Sequence, residues 1–289
     1  MRKLNLYTLT ALLATCAGCT DSLPDNGEPS SSALQLVSVG LAETIQTRGI
    51  VTSINQVKLY VANADALTAY NTSTPTLLFT QSNGSWSSTA SVEITTANGS
   101  ADVYACYPDA DILYATKQAG ITQTNRAISL TMNHALAKVS FRIDKETDVS
   151  ESLYLKQISI QSNTNKLQVG EGSMQLTDGV LNGLVSTSVV TLNGSKELST
   201  SLSSPNVSCL MAPMSATESV LSFSLTVAVG SEGSTELRTF KTASATPVQW
   251  QAGKHYMYSI TVNKIGGILK NFKVEDWKSD ASQDTNIGI

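Results

Sequence analysis

The stretch "VLSFSLTVAV", Val220 to Val229, alternates apolar and polar side chains along most of its length. Leu221, Phe223, Leu225, Val227 and Val229 share one face of an extended chain, while Ser222, Ser224 and Thr226 share the other. Successive strand side chains point to opposite faces, so this is the pattern of a strand with one face on a core and one in water. The same period recurs elsewhere. Val57, Leu59 and Val61 alternate with Gln56, Lys58 and Tyr60, and Ala137, Val139, Phe141 and Ile143 alternate with Lys138, Ser140 and Arg142. Turn-forming clusters punctuate these runs: "SNGSW" (82–86), "ANGS" (97–100), "TDG" (177–179), "LNGS" (192–195), "GSEGS" (230–234) and "WQAGK" (250–254). No strong helical period of useful length follows the N-terminal segment. The expected fold is mainly β, built of antiparallel sandwiches.

Composition agrees. Ser, Thr, Asn and Gly are abundant, charged residues make up 15%, and the net charge is −4. A nucleic-acid partner is not expected, because its binding surface would be basic. Beyond an N-terminal segment of 18 residues, about 270 of the 289 remain, enough for one large or two ordinary domains. The charged polar stretch "DKETDVSES", Asp144 to Ser152, marks the expected boundary. It divides the chain into an N-terminal sandwich over 34–146 and a C-terminal one over 147–289, with one continuous sandwich as the alternative.

The N-terminus reads as an export signal. Arg2 and Lys3 precede an apolar, acid-free run from Leu4 to Gly18, the order of a secretory signal over 1–18. It is too short to span a bilayer, which needs about 20 apolar residues. Small residues Ala17 and Gly18 stand directly before Cys19, so the stretch resembles a bacterial lipobox. Cys19 would then be lipidated on sulfur and anchor the protein to a membrane through its acyl chains. Several chains suffice where one binds only marginally. Cys16 occupies the position where a lipobox usually has Leu. The competing frame, Leu13-Ala14-Thr15-Cys16, supplies that Leu but puts Thr at the cleavage position, and Cys19 is favoured. The Pro-, Ser- and Asp-rich residues 19–33 form a flexible tether that reaches about 20 Å.

Other chemistry is sparsely signalled. The Cys16–Cys19 pair lacks the second ligand pair that a zinc site needs and the βαβ setting of a redox pair. Cys106 and Cys209 lie in apolar runs, and buried thiols are favoured over a disulfide, which export would permit. His134, with Ser140 near in sequence, suggests a triad, but no G-x-S-x-G elbow supports one. His134 and His255 are read as structural, and no enzyme activity is expected. "DNGEP" (25–29) and "PDADI" (108–112) lack the spaced acids of a calcium loop, so no metal or cofactor is expected. Trp86, Trp250, Trp277, Tyr104, Tyr107, Tyr256 and Tyr258 pose two alternatives, a sugar-stacking platform or core packing, with packing favoured.

Four pieces in order carry a resemblance: "ADVYACYPDAD" (101–111), "MNHALAKVSFRI" (132–143), "CLMAPMS" (209–215), and "WQAGKHYMYSITVN" (250–263) followed by "VEDW" (274–277). With the lipobox-like stretch and Thr47-Arg48, this set resembles the fimbrillin-like proteins, lipoprotein-type pilus subunits and relatives from Gram-negative anaerobes. The resemblance implies two transthyretin-like β-sandwich domains, outer-membrane and fimbrial localisation, and assembly with other pilus subunits by strand exchange, contributing to adhesion. The twelve residues after Trp277, "KSDASQDTNIGI", alternate weakly, which favours a tip, anchor or minor component over a stalk subunit. The alternative is a permanently anchored surface lipoprotein that binds glycans or host ligands without polymerising.

The resemblance also implies cleavage after an arginine by an Arg-specific protease. Arg48 lies between "LQLVSVGLA" and "GIVTSINQVKLYVA", among small and polar neighbours that suit an accessible loop. Cutting there would release the lipid and a first strand, Leu34 to Leu41, whose Leu34, Leu36 and Val39 would fill an apolar groove. An ordinary surface arginine is the equal alternative.

Overall fold

The computed structural model describes residues 32–41, 54–107, 112–201, 205–214, 220–242, 249–264 and 267–276. The mainly-β reading holds: apart from one 3₁₀ turn at Thr96–Asn98, the described elements are strands. Among the described residues no helix is long and apolar enough to cross a membrane.

The first half forms one sheet from β1 (Gln35–Leu41), β2 (Gln56–Asn63), β3 (Thr76–Ser82), β4 (Ser85–Ser87), β5 (Ala101–Tyr107), β6 (Leu113–Ile121) and β7 (Ala127–His134). Its seven strands run in the order β1-β7-β6-β5-β2-β3-β4. The "SNGS" turn joins β3 to β4 through Asn83 and Gly84, both at positive φ (50° and 81°), which matches the twist of a tight hairpin. The sheet curls until its edge strands β1 and β4 lie beside one another. Val57, Leu59 and Val61, the inward half of the alternation read from sequence, are fully buried inside it.

The second half packs two sheets face to face. One comprises β8 (Ala137–Lys145), β15 (Val207–Met211), β18 (Lys254–Val262) and β19 (Gly267–Asp276) in the order β15-β8-β18-β19. The other comprises β9 (Leu153–Ser162), β14 (Val189–Asn193), β16 (Leu221–Val229) and β17 (Leu237–Lys241) in the order β14-β9-β16-β17. An excursion between β9 and β14 carries two short ribbons, β10 (Leu167–Val169) with β13 (Val185–Thr187), and β11 (Ser173–Met174) with β12 (Leu181–Asn182).

Three aromatic rings tie the two sheets together. Phe141 on β8 stacks on Tyr258 of β18 at 5.4 Å, and Phe223 from the facing sheet meets both rings edge-on, at 5.2 and 4.7 Å. Such pairs add about 0.5–1.5 kcal/mol each beyond their buried area. Trp250 Nε1 donates to the Tyr258 hydroxyl at 3.0 Å, satisfying two buried polar groups at once.

The passage between the cores falls earlier than the polar stretch at 144–152 suggests. β8 pairs with β15 and β18, and its Val139, Phe141 and Ile143 line the second core. Ala135 and Leu136 therefore separate the last strand of the first sheet from the first strand of the second. Alternation shows that β8 buries a face, but not against which core. At its start the tether expected over 19–33 also differs, because Ala33 is buried and bridges Glu93.

Phe141→Ala removes the ring that both partners touch. It should destabilise the second core by about 3–5 kcal/mol, read as a shift in the urea midpoint with little change in slope. A loss below about 1 kcal/mol would contradict the central place given to this ring.

Candidate functional site

The site is the edge of the first sheet. β1 pairs parallel with β7, from Gln35 opposite Ala127 to Leu41 opposite Met132, whereas every other described pair in this sheet is antiparallel. Leu34 and Leu36 are each only 6% exposed and enter the core, while Val37 between β1's two inward pairs is 59% exposed. A register shift between Leu36 and Ser38 resets the alternation, so Val39 and Leu41 pack against the core from odd positions. One extra residue in a strand exchanges the faces of everything beyond it.

The strand's start is held from both sides. Gln35 N–H donates to Arg126 O at 3.0 Å, Leu34 N–H to Val92 O at 3.0 Å, and Ile94 N–H to Ser32 O at 2.9 Å. Ser32 Oγ also donates to the Glu93 carboxylate. Beside Leu36, Val39 and Leu41 on the core face stand their partners Ile128, Leu130 and Met132 of β7, all nearly inaccessible. Taking β1 away would open the flank of that row and leave one edge of β7 without backbone partners. The two leucines account for about 1.5–3 kcal/mol each. Parallel pairing adds slightly less per residue than antiparallel pairing does.

Of the residues singled out from sequence, Cys19, Arg48, Cys16, Thr47 and Trp277 lie outside the described residues. His134 and Ser140 do not come together as a dyad. Ser140 Oγ instead bridges Ser208 Oγ at 2.7 Å and His255 Nε2 at 2.8 Å, in a polar row across β15, β8 and β18. Ser140 is fully buried and His255 is 5% exposed, so a substrate has no approach to this Ser–His pair. Nor do the described aromatics gather into one platform. Trp250, Tyr256 and Tyr258 are buried in the second core, whereas Tyr104 is buried in the first half and Trp86 and Tyr107 pack on the first core. Among the described residues no group of three His, Cys, Asp or Glu side chains is placed to hold a metal.

Both described cysteines are free and buried. Burial pushes the Cys209 thiol up to about 12. It also raises Cys106, against a smaller opposing pull from Lys58. Sequence reading missed Asp102, 1% exposed on β5. Its carboxylate accepts from Lys117 Nζ at 3.0 Å, Asp65 N–H at 3.1 Å and Gly120 N–H at 3.4 Å. The hydrogen bond with Asp102 holds the Lys117 ammonium above its ordinary pKa. A lone Asp inside the apolar run "ADVYACY" was the available signal, since a buried carboxylate needs partners.

A family profile described as fimbrillin-like matches residues 52–277. The chain belongs to the fimbrillin-like family. Three solved structures share its fold. A fimbrial protein from Bacteroides vulgatus superposes with a TM-score of 0.61 at 9% identity, covering 85% of this chain and 99% of that one. A candidate cell adhesion protein from Bacteroides ovatus gives 0.56 at 16% identity, covering 86% and 98%. Another from Bacteroides uniformis gives 0.51 at 20% identity, covering 86% and 99%. Comparison with curated proteins finds no match. Within this fimbrillin-like fold, the His134–Lys138 piece noted in the sequence is the joint between the two cores.

The thiols give a test of the burial described. At pH 8 a thiol with a pKa near 12 is ionised to only on the order of 10⁻⁴. In a chain beginning after Cys19, neither Cys106 nor Cys209 should react with Ellman's reagent when folded, and both should react in urea. Prompt reaction of either in the folded chain would contradict the packing.

Proposed function

We propose that this chain is a fimbrial subunit of the cell surface, anchored in the outer membrane through lipid on Cys19 and assembled by exchange of its first strand. The family supports the fimbrial role and a structural, non-enzymatic protein. The observation that carries the exchange reading is the placement of β1. It is an edge strand, joined parallel to β7, with its apolar side chains at 34, 36, 39 and 41 lying on the core. A neighbour's strand with the same spacing would supply backbone partners to β7 and cover Ile128, Leu130 and Met132 in one step, the strand-addition mode of recognition. Cleavage at Arg48 would free β1 by cutting the chain between it and β2. The weak alternation of residues 278–289 fits a tip, anchor or minor component. The rival reading, a permanently anchored glycan binder, has less support because the described aromatics pack in or against the apolar cores.

Treating the folded, mature protein with a trypsin-like, Arg-specific protease should cut first at Arg48, release an N-terminal fragment and convert monomer to oligomer by light scattering. Arg48→Ala should stay monomeric under the same treatment. First cleavage elsewhere, or equal assembly of the Arg48→Ala protein, would favour the permanently anchored lipoprotein. Intact-mass analysis should separately find a lipidated chain starting at Cys19, and Cys19→Ala should yield an unprocessed or soluble form. A lipid-free chain starting at Thr20, or one starting at Cys16, would refute that assignment.

A further inference from the structure

The excursion between β9 and β14, residues 163–188, is a braced arm. Its base is closed by Ser162 N–H to Ser188 O at 2.8 Å and by Val220 N–H to Asn163 Oδ1 at 3.1 Å. The ribbons β10–β13 and β11–β12 brace its length. At the tip, Gly179 N–H donates to Gln175 O at 2.9 Å, Gln175 N–H to Val180 O at 2.9 Å, and Val180 N–H to Asp178 Oδ1 at 3.0 Å. So braced, the arm can carry a contact at its end.

That end rests on the first half of the molecule. Met174, Leu176 and Leu181 of the arm join Cys106, Ile112 and Tyr114 of the first half in a third apolar cluster, separate from both main cores. Gly179 meets the Tyr114 ring so closely that a Cβ there would lie 2.2 Å from Cε1 and 2.5 Å from Cδ1. Gly183, on the same arm, has the same kind of backbone (φ +78° against +74°), yet its nearest atom is 3.8 Å from the Cβ position. Conformation alone accounts for Gly183, whereas Gly179 is required by the contact as well. Beside this contact lies a cavity of about 340 Å³, lined by Tyr114, Gln168, Asp178, Val180, Pro213 and Ala252. The tip is therefore held by this cluster and the Tyr114–Gly179 contact, with open space on its other flank.

We propose that residues 163–188 form a strap that locks the two halves into one rigid rod, with Gly179 on Tyr114 as its latch. The joint itself is short: Ala135 N–H bonds Ile112 O and Gly253 N–H bonds Leu136 O, each at 2.9 Å. Two residues held this way form a natural hinge, and domains so linked move unless an interface stops them. The strap is that interface, and with it a pull on one half is passed to the other.

The test compares Gly179→Asn with Gly183→Asn in the full mature chain, each with Tyr114 and with Tyr114→Ala. Asn tolerates positive φ better than other side chains, so the pair separates contact from conformation. Gly179→Asn should speed proteolytic cleavage within 175–182 by about tenfold or more, as expected when cutting follows the open population. It should also broaden the interatomic distance distribution in small-angle scattering, and Gly183→Asn should match the parent in both. With Tyr114→Ala, which itself opens the strap, adding Gly179→Asn should change cleavage by less than about twofold. Parental cleavage and scattering in both Gly179→Asn and Tyr114→Ala would overturn the proposal, as would an undiminished Gly179→Asn effect without the ring. Should Gly179→Asn fail to fold, the same two readouts on Tyr114→Ala alone decide.

Discussion

A β-sheet must end somewhere, and its last strand presents a row of backbone donors and acceptors with no partner. In an almost all-β chain this constraint recurs at every sheet, and the first half of this fimbrillin-like protein meets it in an unusual way. The antiparallel run from β5 through β6 to β7 would end at β7, leaving the core residues Ile128, Leu130 and Met132 beside an open edge. β1, which enters from the far end of the sequence, covers that edge in parallel and curls the sheet round to β4. β1 and β7 share no hairpin, so under the proposed function β1 would be exchanged without unravelling its neighbours. The proposed function follows from that separation of covering strand from covered core.

The second half handles the same constraint differently. Its two sheets face one another, and the Phe141, Phe223 and Tyr258 rings interlock across the interface. Residues of β8, β15 and β18 on one side and of β9, β14 and β16 on the other share this core, so this half suits a fixed body. A two-residue joint and the 163–188 arm connect it to the half that carries the edge strand β1.

Much of this was legible in the sequence. The alternation in "VLSFSLTVAV" predicts β16, and Leu221, Phe223, Leu225 and Val227 are all buried as their spacing requires. The resemblance implied that Leu34, Leu36 and Val39 fill a groove, and all three do lie on the first core, Val39 through a bulge that no alternation count displays. Other features were hidden for physical reasons. Lys138 and Ser140 occupy the polar half of an alternation and were expected in water, yet both are buried. The period of two says that a strand has two unlike faces, not that the polar one is wet. β8's membership in the second core, the parallel pairing of β1 and the Gly179–Tyr114 contact are long-range facts, set by which surfaces meet. Cys19 and Arg48 remain readings of sequence.

The central claim is that β1 leaves β7 when subunits assemble. Ser38 and Ser129 are opposite one another across this pair and both face solvent, so cysteines at the two positions can staple β1 in place. Neighbouring strands lie about 4.8 Å apart, within the range a disulfide spans. Assembly of the Ser38→Cys/Ser129→Cys protein should be followed by light scattering after cleavage at Arg48, oxidised and then reduced. The account predicts a monomer that keeps its first strand while oxidised and that polymerises on reduction. Equal polymerisation with the staple closed would show that β1 stays where it is and that assembly uses another surface.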